Sequence, residues 1–189
     1  PARVDRKRLS PEEGPYRPHH FERPEDVPAF SEFGGPHVAR FTTSTHDKAG
    51  YLAVDPDTIQ EMIDHFHAKI DGAADEIALW KEDLLPGADT LVVSYGVISR
   101  SASVAVRQAR ENGRRVSSLV VQTLFPVPEK VIRRAMTGVR KIVVPEMNMG
   151  QYVLEVQRLA PDGVEVVFVG RMDTTLISPQ EILDRGGLL

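Results

Sequence analysis

Cysteine is absent from all 189 residues, so the chain cannot form disulfides, hold zinc or an iron–sulfur cluster through thiolates, or attack a substrate with a thiol. That usage suits a cytoplasmic protein. There is no basic stripe or patch either: the net charge of −4 and pI near 5.9 argue against a nucleic-acid partner or an anionic membrane surface. No apolar run approaches the roughly 20 residues that span a bilayer, and no charged-then-apolar segment opens the chain as a signal peptide would. The first residue is Pro1 and not Met, which raises the expectation of a processed form or a portion of a longer subunit. What remains, 41% hydrophobic and 26% charged, is ordinary globular material with length for one full core.

The chain divides into three zones. Residues 1–36 carry seven of its 14 prolines, with charges and almost no periodic apolar pattern. Proline fixes φ and lacks a donor, so an extended linker is expected here, not core. Its Tyr16, Phe21, Phe30 and Phe33 are too many for a solvated tail and imply that it lies along another surface. Residues 37–86 begin with an extended piece at 38–43 and a polar turn at 45–50. They reach Asp55-Pro56, an N-cap followed by proline at the first helical position. Ile59, Met62, Ile63, Phe66 and Ile70 then recur at helical spacing, and the phase continues through Ala74, Ile77 and Leu84. A helical arm results, either one helix with a soft point at Gly72 or two in succession. His65 and His67, two apart on a helix, point to nearly opposite sides and make no metal pair.

Residues 87–189 alternate strand and helix. Short β-branched runs at 91–95, 116–121, 141–144 and 164–169 have the character of strands buried on both faces of a parallel sheet. Helical patterns at 101–112, 128–136 and 149–160 separate them and stop at Gly113, Gly138 and Pro161. A last helix starts at the capping box Ser178-Pro179-Gln180-Glu181 and ends near Gly186. Strands joined by helices of about ten residues imply right-handed crossovers, hence an α/β fold with a doubly wound, mainly parallel sheet.

Two strand-to-helix turns carry polar residues at the carboxyl edge, where such sheets meet ligands and partners. The first, Gly96-Val97-Ile98-Ser99-Arg100-Ser101, could hold a phosphate or carboxylate at a helix N-terminus, with Gly96, Ser99, Arg100 and Ser101 as the candidates. It lacks the further glycines of a dinucleotide fingerprint and the Gly-Lys-Ser/Thr of a P-loop. Either serine can equally be a plain N-cap. The second turn, Glu146-Met147-Asn148-Met149-Gly150-Gln151, offers Asn148 as a cap, Gln151 to answer it three residues on, and Gly150 for close approach of another backbone. Glu146 is left over. No serine sits in a nucleophile elbow and all six histidines precede the α/β zone, so no catalytic triad is assembled.

The order His46-Asp47 with Gly50, then Asp55-Pro56, a helical arm, Leu91-Val92-Val93-Ser94-Tyr95-Gly96, Leu124-Phe125-Pro126 and finally Glu146-x-Asn148-x-Gly150-Gln151 resembles the C-terminal half of the α subunit of 2-oxoacid:ferredoxin oxidoreductases. The 2-oxoglutarate type is the most similar, over about residues 34–187. Where the family tends to read Gly-x-Glu-His-Asp-Glu-x-x-Gly, this chain has Ser44-Thr45-His46-Asp47-Lys48-Ala49-Gly50, without the acidic neighbours. The resemblance implies a transketolase-C-terminal-like domain. The enzyme it implies decarboxylates a 2-oxoacid on thiamine diphosphate with magnesium, passes electrons through an iron–sulfur cluster to ferredoxin and forms an acyl-coenzyme A. The family's Tyr-Pro-x-Thr-Pro stretch and a Gly-Asp-Gly run with a downstream Asn are missing, so the cofactors and all catalytic residues are expected outside this chain. On this reading the chain is a structural and assembly domain within an oligomer. Its partners are the rest of the α subunit, the β subunit and, indirectly, ferredoxin. Glu146, Asn148, Gly150, Gln151, His46 and Asp47 are then the interface or site-edge residues. The competing readings are a stand-alone flavodoxin-like module that binds an anion or nucleotide at the Gly96 turn, and a regulatory interaction domain.

Overall fold

A computed structural model describes residues 5–12 and 14–189; Pro1 of the proline-rich zone lies outside the described residues. The chain forms two compact units, Pro1–Ala74 and Asp75–Leu189.

In the first unit, helix α1 (Pro56–Gly72) starts as its sequence dictates: the Asp55 side chain accepts from Thr58 N at 2.9 Å, and Pro56 fills the position whose N–H would go unused. It ends at Gly72, and a separate short helix α2 (Ala74–Ile77) follows, so the arm is two helices. The apolar stripe of α1 is only partly covered. Met62 is buried while Ile63 and Phe66 remain 41% exposed. The proline-rich zone is not merely linker: Phe21 is 5% exposed, and its ring stacks on that of His65 with centroids 3.9 Å apart. His65 Nδ1 meets the Pro24 carbonyl oxygen at 2.6 Å, which accounts for a buried imidazole on α1 without any metal. Phe21 departs from the expected extended linker because a planar ring over an apolar helix face removes more surface from water than a solvated tail could.

The second unit is the α/β sandwich. Its five strands are β1 (Trp80–Asp83), β2 (Thr90–Tyr95), β3 (Val116–Val121), β4 (Lys141–Glu146) and β5 (Glu165–Gly170), in the order β1-β3-β2-β4-β5. The last four are parallel and β1 runs antiparallel along β3. The expected doubly wound, mainly parallel sheet is present. Strand β1 is a correction, since residues 80–83 continue the helical phase in sequence yet pair with Val121, Val120, Leu119 and Ser118. Residues 75–86 accordingly pack with the sheet unit.

Alternation along the strands sorts the core into two layers. Leu91, Val93, Leu119, Val121, Ile142 and Val144 face α4 (Glu129–Ala135) and α5 (Tyr152–Leu159). Val92, Val116, Val143 and Val169 face α3 (Ile98–Glu111) and α6 (Pro179–Gly186). Val120 and Val167, expected to be as buried as Leu91 and Val143, are only half-buried. Val167 lies on the edge strand β5, and Val120 lies where no helix covers the end of the sheet. Helix α6 keeps its predicted cap, Ser178 Oγ accepting from Glu181 N at 3.1 Å, and stops at Gly187 in the left-handed region, φ +63°.

Candidate functional site

Parity brings Tyr95 and Glu146 together. Tyr95 follows Leu91 and Val93 on the α5 face of β2, and Glu146 follows Ile142 and Val144 on the same face of β4. Because β2 and β4 are parallel neighbours, both side chains reach the carboxyl edge side by side. The Tyr95 hydroxyl donates to Glu146 Oε2 at 2.9 Å. Glu146 itself is completely buried.

The carboxylate is saturated. Oε2 also accepts from Asn148 Nδ2 at 2.9 Å and from Tyr152 N at 2.9 Å, and Oε1 accepts from Val153 N at 2.7 Å. Tyr152 and Val153 open α5, so Glu146 supplies what a capping residue supplies: an anion on the helix's unpaired N–H groups, favoured by the dipole. Asn148 closes the network. Its amide nitrogen also donates to the Tyr95 hydroxyl at 2.6 Å, while Oδ1 accepts from Gly150 N at 2.7 Å and Gln151 N at 3.2 Å. Burial, then the hydrogen bond to Glu146, pushes the Tyr95 phenol up to about 12, so at neutral pH it remains a donor.

Four expectations for this turn change. Asn148 does not cap α5 directly; it pins an Asx-type turn ahead of the helix, which starts at Tyr152 and not at 149. Gln151 occupies the cap position without a side-chain capping bond, so the reciprocal box is not formed. Gly150 is needed for its φ of +95°, and the neighbours a Cβ would meet are the side chains of Val153 at 3.3 Å and Phe168 at 3.5 Å, not another backbone. Glu146 was expected to meet a partner's donor; four intrachain donors already hold it inside. Sequence reasoning missed Tyr95 and Tyr152 as members of the site, although strand alternation carried the signal for Tyr95. The Tyr152 ring stands edge-on to Tyr95 with centroids 5.3 Å apart. Its hydroxyl is buried without a hydrogen-bond partner among the described residues, and burial raises its pKa.

The other candidates each have their own local surroundings. At the β2–α3 turn Gly96 takes φ +58°, and the Ser99 hydroxyl donates to the Gly96 carbonyl at 2.7 Å. Helix α3 starts at Ile98, earlier than expected, without a side-chain cap. Arg100 and Ser101 fall within its first turn. In the first unit, Asp47 Oδ1 accepts from Ala49 N at 2.8 Å and Tyr51 N at 3.0 Å, organising the turn that Gly50 completes at φ +84°. The His46 ring stacks on His19 at 3.6 Å between centroids. Burial, and next the neighbouring His46, pulls the His19 imidazole down to about 4. Among the described residues no group of three or more histidine, cysteine, aspartate or glutamate side chains could hold a metal ion. With no cysteine in the chain, its residues do not fit an iron–sulfur cluster.

Residues 88–182 match the family model for the pyruvate:ferredoxin oxidoreductase core domain II. The chain is 37% identical to the 2-oxoglutarate synthase subunit KorA of Methanothermobacter thermautotrophicus over 97% of its own length and 50% of that protein's. It is 34% identical to KorA of Methanocaldococcus jannaschii over 93% of the chain and 47% of that protein. The chain thus spans about half the length of these curated relatives. A solved 2-oxoglutarate:ferredoxin oxidoreductase from Magnetococcus marinus, with 2-oxoglutarate, coenzyme A and succinyl-CoA bound, superposes with a TM-score of 0.76 at 17% identity. That superposition covers 96% of this chain and 32% of that one, and shows a shared fold. The family model covers just over half of the chain, including every strand of the parallel sheet and the Glu146 network, and the chain belongs to the pyruvate:ferredoxin oxidoreductase core domain II family.

Proposed function

We propose that the chain is the structural and assembly portion of the α subunit of a 2-oxoacid:ferredoxin oxidoreductase that acts on 2-oxoglutarate. The carrying observation is the 37% identity to a 2-oxoglutarate synthase subunit along 97% of the chain. In the whole enzyme, thiamine diphosphate with magnesium, an iron–sulfur cluster and coenzyme A supply the decarboxylation, electron transfer and acyl transfer. Their ligands lie outside this chain, in the rest of the α subunit and in the β subunit. Ferredoxin is the indirect partner, and the complex works in the cytoplasm; among the described residues no helix is long and apolar enough to cross a membrane.

Exposed apolar side chains support the assembly role. The loops that leave β2, β3, β4 and β5 at the carboxyl edge expose Val97, Phe125, Met149 and Met172, all more than half accessible. Such a row is a docking surface, because water-exposed clusters of large apolar groups are otherwise disfavoured. Glu146, Asn148, Gly150 and Gln151 hold the Met149 loop in shape there. The first unit makes the same point, burying Phe21, Ala53 and Met62 while Phe33, Val38, Leu52 and Val54 stand exposed. We assign the proline-rich residues 1–36 and the arm, with His46 and Asp47 in its turn, to wrapping a neighbouring subunit.

The test uses the complete α subunit with its β subunit and measures coenzyme A-dependent ferredoxin reduction. Turnover with 2-oxoglutarate well above that with a branched-chain 2-oxoacid is expected. Replacing Phe125 and Met149 together by Ser should leave the melting temperature of this chain unchanged and weaken subunit assembly. Full assembly by that variant would remove the carboxyl edge from the interface, and absence of 2-oxoacid-dependent ferredoxin reduction would refute the enzymatic assignment.

A further inference from the structure

Parallel sheets of this class normally carry helices across both faces. Here α3 covers β2 and part of β3, but the corner formed by β3 and the added strand β1 stays open on the α3 side. Register puts Lys81 and Asp83 of β1 beside Val120 and Ser118 of β3 on that face. Together with Ser103, Val106, Arg107 and Arg110 of α3 they enclose a groove of about 460 Å³. That falls in the range of ligand pockets, roughly 300 to 1,000 Å³.

The charges in this groove do not cancel. Arg110 is held in the wall of the groove: Nη1 donates to Asp83 Oδ2 at 2.8 Å, Nη2 to the Asp83 carbonyl at 3.0 Å and Nε to the Val116 carbonyl at 2.8 Å. Asp83 is thereby neutralised. The Glu82 carboxylate is engaged on the other face by the Trp80 indole and Arg134. Lys81 and Arg107 have no acidic partner among the described residues, which leaves two cations above a floor of Val106 and Val120, with the Ser103 and Ser118 hydroxyls alongside. A guanidinium and an ammonium lining one groove beside the two hydroxyls match a phosphate, and an apolar floor matches a flat ring. A bare anion would leave most of the volume unfilled.

We infer that the β1–β3–α3 corner is a binding site for a nucleoside phosphate, with Lys81 and Arg107 holding the phosphate and Val106 and Val120 supporting the base. The inference goes beyond the assembly role and does not depend on it. It is tested on the full 189-residue chain with ADP, adenosine and inorganic phosphate as probes, by following the valine methyl resonances of the labelled protein. Saturable shifts at Val106 and Val120 are expected with ADP, weakening with added salt. Lys81→Gln and Arg107→Gln should each weaken binding roughly tenfold, while Arg100→Gln at the β2–α3 turn should change nothing. Unchanged thermal melts keep the variants interpretable. Equal binding of adenosine would overturn the role of the cations, and equal binding of inorganic phosphate would overturn the nucleoside class. No ADP-dependent shift at these valines, or a shift that Arg100→Gln abolishes, would overturn the site. Should the two glutamine variants instead impair only association with a partner subunit, the corner is a protein interface and the inference fails.

Discussion

Replacing Glu146 by Gln keeps the volume of the side chain and removes its charge, which isolates what the carboxylate contributes. Oε2 receives three donors and Oε1 receives one. A glutamine amide can present its oxygen to the three and must then turn its NH₂ toward the N–H of Val153, donor against donor. One hydrogen bond is lost, and the three that remain fall from charge-assisted to neutral strength. A bond to a charged group contributes about 1.5 to 3 kcal/mol against about 1 for a neutral one, so one lost and three weakened bonds sum to roughly 3 to 9 kcal/mol, with the lower end expected because removing the charge also relieves its burial cost. The lost anion at the start of α5 adds about 0.3 to 1 kcal/mol. For a unit of this size a loss near 3 kcal/mol corresponds to a drop of roughly 10 °C in melting temperature. Circular-dichroism melts and urea titrations of the full chain at neutral pH measure it, with Glu155→Gln as the control. Glu155 sits in the surface pair with Arg158, where about 0 to 1 kcal/mol is expected. Tyr95→Phe combined with Glu146→Gln should be less harmful than the sum of the two, with a coupling of about 0.5 to 3 kcal/mol, because both break the same bond. A Glu146→Gln melt no lower than that of the control would refute the reasoning.

Further perturbations probe the surrounding structure. Val143→Ala, at a fully buried position against α6, should cost about 1 to 3 kcal/mol from lost burial and a residual cavity, read from urea midpoints. Gly150→Ala forces a Cβ into φ +95° within 3.3 Å of Val153, and should destabilise by more than about 1 kcal/mol; a neutral result would mean that the turn relaxes freely. His19 has a pKa of about 4 in the fold against 6.5 as its ordinary value. The folded form therefore binds fewer protons, and the first unit should keep its full stability above about pH 6.5 and lose it as the pH falls toward 4. His65, also lowered by burial, acts in the same direction. His19→Phe, which keeps a ring on His46, should flatten that acid limb in melts between pH 7 and 4, and an unchanged slope would place the titration elsewhere.

Local signals with local causes were legible in the sequence. Asp55-Pro56 and Ser178-Pro179 mark helix starts because the cap side chain accepts from the backbone N–H three residues on. The four parallel strands were legible because each carries a short β-branched run set off by helical patterns, although β5, at the edge, is only partly buried. Strand β1 was not, since Trp80-Lys81-Glu82-Asp83 has one apolar residue and becomes a strand only by pairing with β3, some forty residues later. Val120 was misjudged for a related reason. A β-branched run says that a strand is in the sheet, but whether a helix lies over its end is decided by the topology of the connections.

Glu146 was the residue that the local pattern left unexplained, and its role is non-local in both directions. One partner, Tyr95, lies 51 residues back on the neighbouring strand, and two are backbone groups six and seven residues ahead at the start of α5. Capping rules look three residues away from a helix start and so selected Asn148, which has the right chemistry for a cap but spends it on the turn before the helix. The carboxylate that does meet the helix comes from the end of β4, because a strand leaving a parallel sheet aims its last side chains at the start of the helix that must fold back over it. A charge buried and saturated in this way cannot itself recognise a partner. What it can do is fix the five residues between strand and helix, leaving Met149, 80% exposed, on a turn whose shape is set from beneath. Recognition at this edge therefore belongs to the apolar groups on its surface, and the Glu-x-Asn-x-Gly-Gln pattern is the support that holds one of them in place.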